Sequence, residues 1–183
     1  TNKIAEGELM QLANKNNLNT SLQQLKKISY YKTGRLFEAS AKSAAMLSGK
    51  SIPFIENISK AAKLIGIAFQ VRDDLLDYGV SKGNIGKPEM QDILEDKITY
   101  PLYFALKYSN KKDSSKILKK LKNKDFSIEE VADFVSSSNA FNKCNSLIQN
   151  YSNEISKCIN QISNKEIRDE MLNLSESLKN RYE

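Results

Sequence analysis

Apolar side chains recur every three or four residues along almost the whole chain, and this spacing constrains the fold more than any other feature. In the longest stripe the apolar positions are Phe141, Cys144, Ile148, Tyr151, Ile155, Cys158 and Ile162. A helix with 3.6 residues per turn places such positions on one face, whereas a strand would alternate every second residue. We find no convincing strand pattern. The sequence therefore predicts an all-α helical bundle forming a single domain over residues 1–183.

Capping signals divide this pattern into separate helices. Thr20, Ser127 and Ser163 are each followed three positions later by Gln or Glu, which is typical of a capping box at a helix start. Pro53 and Pro101 fit the first turn of a helix, where the missing amide hydrogen costs least. The helices expected from these signals span approximately residues 4–15, 20–47, 53–78, 99–108, 127–138, 141–162 and 163–182.

The composition excludes several kinds of function. Histidine is absent from the chain, which excludes His-based zinc sites and Ser-His-Asp or Cys-His nucleophiles. Cys144 and Cys158 lie fourteen positions apart in one helical pattern, a distance of about 21 Å on a continuous helix. We therefore expect two buried thiols in a reducing compartment and no disulfide between them. No apolar run is long and uninterrupted enough to serve as a membrane anchor.

The charge of the chain suggests an anionic partner. The net charge is +6 and the pI is about 9.1, which is compatible with a nucleic acid, a membrane surface or a small anionic substrate. The lysines are spread along the chain with acids between them, and we find no arginine-rich or aromatic-interleaved basic patch. We therefore expect no nucleic acid, and a few specific lysines that bind a small anion such as a diphosphate.

The segment AAKLIGIAFQVRDDLLDYG, residues 61–79, combines apolar and acidic features. Its apolar residues lie on nearly all sides of a helix, so we expect protein around it. Gln70, Asp73, Asp74 and Asp77 share one face of that helix. Buried carboxylates without a partner are costly, and a cation between them removes the cost. Mg²⁺ suits such oxygen ligands. An isolated DDxxD pattern is more often a solvated acidic face, but the apolar surroundings favour a metal site.

Basic residues flank this acidic helix in the sequence. Lys32 and Thr33 precede it, and Lys87 follows it within Gly86-Lys87-Pro88. Lys97 is expected at the start of the next helix. Ammonium and hydroxyl groups are donors for phosphate oxygens. Each lysine alone is compatible with a simple surface charge, but together with the aspartates they suggest a diphosphate-binding site.

Several motifs occur in an order that identifies a resemblance. Residues 69–77, FQVRDDLLD, resemble the second aspartate-rich motif of the trans-polyprenyl diphosphate synthases. Residues 32–33 resemble the KT motif of that family, and residues 86–101, GKPEMQDILEDKITYP, resemble its GKPxGNDxxxxKxTxP segment, with Met-Gln in place of the usual Gly-Asn. Residues 6–12, EGELMQL, are similar to the family's EGExxQL, and residues 181–182 are similar to many family C-termini.

The resemblance implies a fold, a reaction and a set of residues. The fold would be a helical bundle of the isoprenoid synthase type. The reaction would condense isopentenyl diphosphate with an allylic diphosphate into a longer trans-polyprenyl diphosphate, of the octaprenyl or long-chain kind, by magnesium-assisted ionisation. The implied catalytic and substrate-binding residues are Lys32, Thr33, Gln70, Lys87 and Lys97, and the implied metal ligands are Asp73, Asp74 and Asp77.

The resemblance also sets expectations about the whole protein. The family's first aspartate-rich motif would precede Thr1, so the chain corresponds to a C-terminal half, and we expect it to be inactive alone. A homodimer is expected, in the cytoplasm or alternatively in an organelle. Two other hypotheses remain open from the residues. One is a non-catalytic regulatory subunit of a heteromeric synthase, which the retained aspartates disfavour. The other is a helical interaction domain with an incidental DDxxD pattern.

Overall fold

A computed structural model describes residues 2–79 and 90–180, except for the side chain of residue 180. These residues form ten α-helices and one π-helical segment, and they contain no strand, which confirms the predicted all-α class. The helices are α1 (Asn2–Ala13), α2 (Leu22–Ser29), the π segment (Tyr30–Gly34), α3 (Arg35–Leu47), α4 (Ile52–Asp77), α5 (Gln91–Leu94), α6 (Tyr100–Tyr108), α7 (Lys111–Asn123), α8 (Ile128–Ser137), α9 (Ala140–Ile159) and α10 (Lys165–Asn180).

Helix α4 forms the centre of the bundle. It packs mainly between α3 and α9, and it also contacts the π segment. Ala61, Ile65, Ala68, Val71 and Leu75 are almost completely buried along its length. A helix that is apolar on all sides is stable only with neighbours all around it. The central position expected for residues 61–79 is therefore confirmed, and it gives the acidic residues of α4 a fixed support.

Helix α9 buries the long apolar stripe against α4 and α6. Ile148, Tyr151 and Ile155 are buried along this face. Cys144 and Cys158 are both buried free thiols, as the sequence predicts. The apolar face of α9 thus packs along α4, the central helix.

The predicted proline positions are confirmed at the starts of two helices, and a glycine ends a third. Pro53 and Pro101 lie in the first turns of α4 and α6. Gly49 follows α3 with a φ of 62°, a left-handed conformation that glycine adopts without steric cost. These signals are local, so the sequence alone is sufficient to place them.

Two of the three predicted caps are wrong by one residue. Ser21, not Thr20, accepts the amide hydrogen of Gln24 at 3.1 Å, because the Thr20 hydroxyl is buried and donates to Asn14 instead. Asn164, not Ser163, accepts the amide hydrogen of Ile167 at 2.9 Å at the start of α10. The cap at Ser127 is confirmed.

Helix α7 lies outside all the helices expected from the sequence. Its start is fixed by Asn110, whose side chain accepts the amide hydrogen of Asp113 at 2.9 Å. The dense lysines of this segment obscure its apolar stripe, in which Ile117 is buried. Across residues 2–79 and 90–180, none of the helices combines the length and apolarity that crossing a bilayer requires.

Candidate active site

Gln70 connects the KT motif to the aspartates of α4. Its amide oxygen accepts a hydrogen bond from the Thr33 hydroxyl at 3.0 Å. Its amide nitrogen donates to Asp74 at 2.9 Å and makes a longer contact of 3.4 Å with Asp73. One side chain therefore fixes the positions of a hydroxyl donor and two carboxylates relative to each other.

Asp74 is a buried carboxylate between two elements. Besides the bond from Gln70, it accepts the backbone amide hydrogen of Tyr100 at 3.2 Å, at the first residue of α6. Burial, followed by the negative charge of Asp92, raises the pKa of Asp74 to about 8. A nearby cation favours the ionised form of such a group. The position is therefore one in which a positive ion would stabilise the carboxylate.

Asp77 has different hydrogen-bond partners from Asp73 and Asp74. It is 1% exposed, and its two oxygens accept the backbone amide hydrogens of Gln91 and Asp92 at 3.1 and 2.9 Å. These donors are the first residues of α5. The carboxylate thus holds the chain after the 80–89 segment against the end of α4.

The donor set fits a shared magnesium ion better than an enclosed metal cage. Among residues 2–79 and 90–180, no three acidic or cysteine side chains converge closely enough to hold a metal ion by themselves. Mg²⁺ commonly binds through one or two carboxylates together with waters and substrate phosphates. Asp73 and Asp74, linked by Gln70, match that requirement. The metal role of Asp73, Asp74 and Asp77 stays a prediction.

Lys32 is held by two residues of the segment that resembles EGExxQL. Its ammonium donates to the Gln11 side-chain oxygen at 2.6 Å and lies 3.6 Å from the Glu8 carboxylate. Its side chain remains 30% exposed. The lysine is therefore oriented by α1, although it belongs to the π segment.

Close backbone contacts position the π segment. A Cβ atom on Gly7 would lie 2.4 Å from the backbone nitrogen of Lys32, and one on Gly66 would lie 2.7 Å from the Cα of Gly34. Side chains cannot occupy such short distances, so glycine is required on both sides of the segment. The predicted continuous helix over residues 20–47 is interrupted here, and π turns of this kind are frequent at functional sites.

Lys97 lies in the connector three residues before Tyr100, the first residue of α6. The expected position of Lys97 at the start of that helix is therefore wrong. Its ammonium lies 2.8 Å from Glu95 and 3.6 Å from Asp92. Burial opposes its charge, but the hydrogen bond and charge of Glu95 and the charge of Asp92 outweigh burial and raise the pKa of Lys97. It is therefore a permanent cation close to the buried acids.

The predicted residues from different segments meet at one small cavity. Lys32, Gln70, Asp74 and Lys97 line it, and its volume of about 20 Å³ is enough for one water molecule. Thr33 and Asp73 join this group through Gln70. Asp77, the last residue of α4, binds the start of α5 instead and is not among the cavity-lining residues. Lys87 lies outside the described residues, so its place relative to the cavity stays a prediction.

Three further residues contribute to the same site. Gln11 lines the cavity and holds Lys32. Ser29 and Tyr100 also line it, and their hydroxyls lie 3.0 Å apart. The motif EGELMQL indicated that Gln11 belongs to a recognisable segment but gave it no role. No sequence signal pairs Ser29 with Tyr100, because 71 positions separate them.

The comparison with protein families agrees with this geometry. Residues 1–138 match the polyprenyl synthetase family. This match covers more than half of the chain, and the chain therefore belongs to the polyprenyl synthetase family. The predicted family and its type of fold are thereby confirmed.

Individual relatives carry the names of long-chain enzymes. The octaprenyl diphosphate synthase of Haemophilus influenzae is 36% identical over 117 residues, which is 64% of this chain and 36% of that protein. The probable mitochondrial hexaprenyl pyrophosphate synthase of Yarrowia lipolytica is 30% identical over an alignment of 185 residues, which covers 97% of this chain and 40% of that protein. The chain thus matches less than half the length of these relatives.

Solved structures share the fold over nearly the whole chain. A polyprenyl synthase from Caulobacter crescentus, complexed with calcium and isoprenyl diphosphate, superposes with a TM-score of 0.89 and 25% identity, covering 98% of this chain and 56% of that one. A decaprenyl diphosphate synthase from Rhodobacter capsulatus gives a TM-score of 0.87 at 24% identity, covering 99% and 57%. The helical bundle described above is therefore the fold of this family.

Proposed function

We propose that the protein to which this chain belongs is a polyprenyl diphosphate synthase. It condenses isopentenyl diphosphate with an allylic prenyl diphosphate and releases a longer trans-polyprenyl diphosphate. The activity is proposed for the whole protein, because the chain covers only 36% of the Haemophilus influenzae relative and 57% of the Rhodobacter capsulatus structure. The main support for the proposal is that one cavity is lined by Lys32, Gln70, Asp74 and Lys97, which come from separate segments of the chain.

The cationic side chains around this cavity are suited to bind a diphosphate beside it, since the cavity itself has room for one water molecule. Lys32 offers a partly exposed ammonium held in one direction by Gln11, and Thr33 offers a hydroxyl fixed by Gln70. Charge-assisted hydrogen bonds to phosphate oxygens are among the strongest that proteins form. In the proposed site Lys32 donates to the allylic diphosphate, and the Thr33 hydroxyl turns its single hydrogen from Gln70 to a phosphate oxygen. Lys97 adds positive charge near the acids, and Lys87 contributes from the 80–89 segment.

The acids would hold magnesium in the same proposal. Asp73 and Asp74 would hold Mg²⁺ in common with the substrate phosphates, with Asp77 supporting them from the end of α4. When bound, Mg²⁺ would stabilise the negative charge of the diphosphate as it leaves the allylic carbon. The relative from Caulobacter crescentus was crystallised with calcium and isoprenyl diphosphate, which supports a divalent cation at this kind of site.

The protein's own groups contribute positioning and electrostatic stabilisation. Departure of the diphosphate leaves an allylic carbocation, the double bond of isopentenyl diphosphate attacks it, and loss of a proton completes the extension by five carbons. Prearranged donors stabilise developing charge without reorganising during the reaction. This chemistry needs no histidine and no protein nucleophile. We further propose that the chain forms one domain within a homodimer.

The test uses protein expressed from the complete gene, incubated with labelled isopentenyl diphosphate, an allylic primer and magnesium. We expect a series of prenyl products that EDTA abolishes. Asp73→Ala should abolish it as well, whereas Asp133→Ala, at an exposed position of α8, should leave it unchanged. Absence of any product from the folded wild-type protein would refute the proposal, and equal loss in the two variants would refute the assigned site.

A further inference from the structure

The net positive charge of the chain is concentrated in one segment. Residues 111–124 contain seven lysines and one aspartate, a net charge of +6, and the remainder of the chain contains 21 basic and 21 acidic residues. The seven lysines are Lys111, Lys112, Lys116, Lys119, Lys120, Lys122 and Lys124. The expectation that lysines are spread along the chain with acids between them is therefore wrong for this segment.

The fold presents these lysines on one exposed surface. Helix α7 turns its apolar face inward, where Ile117 is 4% exposed and Ser114 is 7% exposed. Lys112, Lys119 and Lys122 are exposed on the opposite side. Positions three and four residues apart lie next to each other on a helix, so these three side chains form a continuous basic strip together with the exposed Lys116. We call the exposed side of α7 the lysine face.

Acidic neighbours neutralise only the flank of the lysine face. Glu130 of α8 binds Lys120 at 2.6 Å and lies 3.9 Å from Lys116, and Asp96 binds Lys124 at 2.8 Å. Lys112, Lys119 and Lys122 form no ion pair within the part of the chain that the structure describes. Their charges repel one another, and an anionic partner would relieve this repulsion.

Apolar and aromatic groups lie beside the lysine face. Tyr108, at the end of α6, is 54% exposed. An open groove reaches α7 through Leu118, and its lining also includes Leu18, Tyr103, Leu106 and Lys107. Aromatic side chains with a polar tip are favoured where water meets the lipid headgroups. The surface is thus mainly positively charged, with a small apolar area beside the charges.

We propose that the lysine face of α7 binds the surface of a membrane that contains anionic lipids. Clusters of four to eight lysines or arginines on an amphipathic helix are typical of such peripheral binding. A single-stranded nucleic acid would require aromatic rings on which bases stack, and the exposed positions of α7 are lysine, serine, asparagine and aspartate. Because the apolar face of α7 packs on the protein, the association is electrostatic, without insertion of the helix.

The surface also suits the proposed reaction product. A polyprenyl diphosphate has a long apolar chain, and transfer of that chain from water into lipid is favourable. A synthase bound to the bilayer would release its product next to the lipid into which the apolar chain transfers. This last step rests on the proposed function, whereas the binding of lipid by α7 does not.

The experiment measures flotation of the full-length protein with vesicles. We expect binding to vesicles that contain about 30% phosphatidylglycerol in phosphatidylcholine, no binding to pure phosphatidylcholine, and release as salt rises from about 50 mM to about 500 mM. The variant K112E/K119E/K122E should bind at least about tenfold more weakly. The control K42E/K157E/K165E has the same net charge, with changes at exposed positions elsewhere, and should bind like the wild-type protein.

Two outcomes would overturn the proposal. One is equal binding of anionic vesicles by the two triple variants. The other is capture of the wild-type protein by an RNA oligonucleotide but not by anionic vesicles. Prenyl synthesis without lipid, measured for the same proteins, should be equal in both variants, because the lysine face lies outside the candidate active site. Failure of the lipid proposal is thereby distinguishable from failure of the synthase proposal.

Discussion

The three aspartates of α4 differ in what they bind within the protein. Asp77 accepts two backbone amide hydrogens at the start of α5, and Asp74 accepts one at the start of α6. Asp73 is half-buried and contacts the side chain of Gln70. The motif DDxxD suggests three equivalent ligands, but the structure indicates that two of them also hold neighbouring elements in place.

This difference predicts separate effects on stability. Asp77→Ala leaves two partly buried amide hydrogens without an acceptor, and a fully buried one would cost about 1–3 kcal/mol. We therefore expect the free energy of unfolding, measured by urea denaturation in EDTA, to fall by about 2–4 kcal/mol. Asp73→Ala is the matched control and should cost about 1 kcal/mol or less under the same conditions. Equal losses would contradict a separate structural role for Asp77.

The sequence predicts most residues of the candidate site, but not the hydrogen bonds that connect them. Lys32, Gln70, Asp74 and Lys97 were all predicted, and the structure places them around one cavity. The bonds from the backbone to Asp77 were not predicted, because their donors lie 14 and 15 positions later in the chain. Periodicity identifies which residues share a helix face, but it does not identify partners beyond the helix.

At the scale of elements, the π segment is the feature that brings the KT motif to the acids. It lies between α1 and α4, and backbone contacts with Gly7 and Gly66 fix its position. The sequence pattern predicted one continuous helix here, because an apolar period of three and four residues does not reveal one widened turn. The glycines were visible in the sequence, but their contacts depend on packing between distant helices.

Replacement of Gly66 therefore tests whether this packing positions the site. The Cβ of Gly66→Ala would lie 2.7 Å from the Gly34 Cα, so the π segment must move. We expect a loss of about 1–3 kcal/mol in stability. In the proposed reaction, kcat/KM of the full-length protein should fall at least about tenfold, because Thr33 moves with the π segment while Gln70 stays on α4.

Gly49→Ala is the control for this experiment. Gly49 has a φ of 62° and no neighbour within 4 Å of a Cβ atom. Its replacement strains the backbone by about 1–2 kcal/mol without touching the site. The two variants should therefore lose similar stability, while only Gly66→Ala loses catalytic efficiency. A similar fall in kcat/KM for both would show that general destabilisation, and not the position of the π segment, limits the proposed activity.

At the scale of the whole molecule, the candidate active site joins segments that are far apart in sequence. Gln11 belongs to α1, Lys32 to the π segment, Asp74 to α4 and Lys97 to the connector before α6. A ligand bound at this site contacts several elements at once. Any such ligand that binds only the folded state stabilises the whole fold by mass action.

This arrangement predicts thermal stabilisation that requires metal and diphosphate together. With a bisphosphonate at about 100 times its Kd, and magnesium present, the full-length protein should gain about 2.7 kcal/mol. Scanning calorimetry should show a Tm higher by several degrees. EDTA should remove the gain, and Lys32→Ala should reduce it. An unchanged Tm with both ligands present would contradict the assigned magnesium and diphosphate site.

The burial of Cys144 and Cys158 has a practical consequence for labelling. Both thiols are 5% exposed or less, and burial raises their pKa values, so neither is in the reactive thiolate form at neutral pH. A cysteine introduced on the lysine face, for example Lys119→Cys, would be the accessible thiol among the described residues. A maleimide fluorophore attached there could report the approach of a lipid surface without removal of either native cysteine.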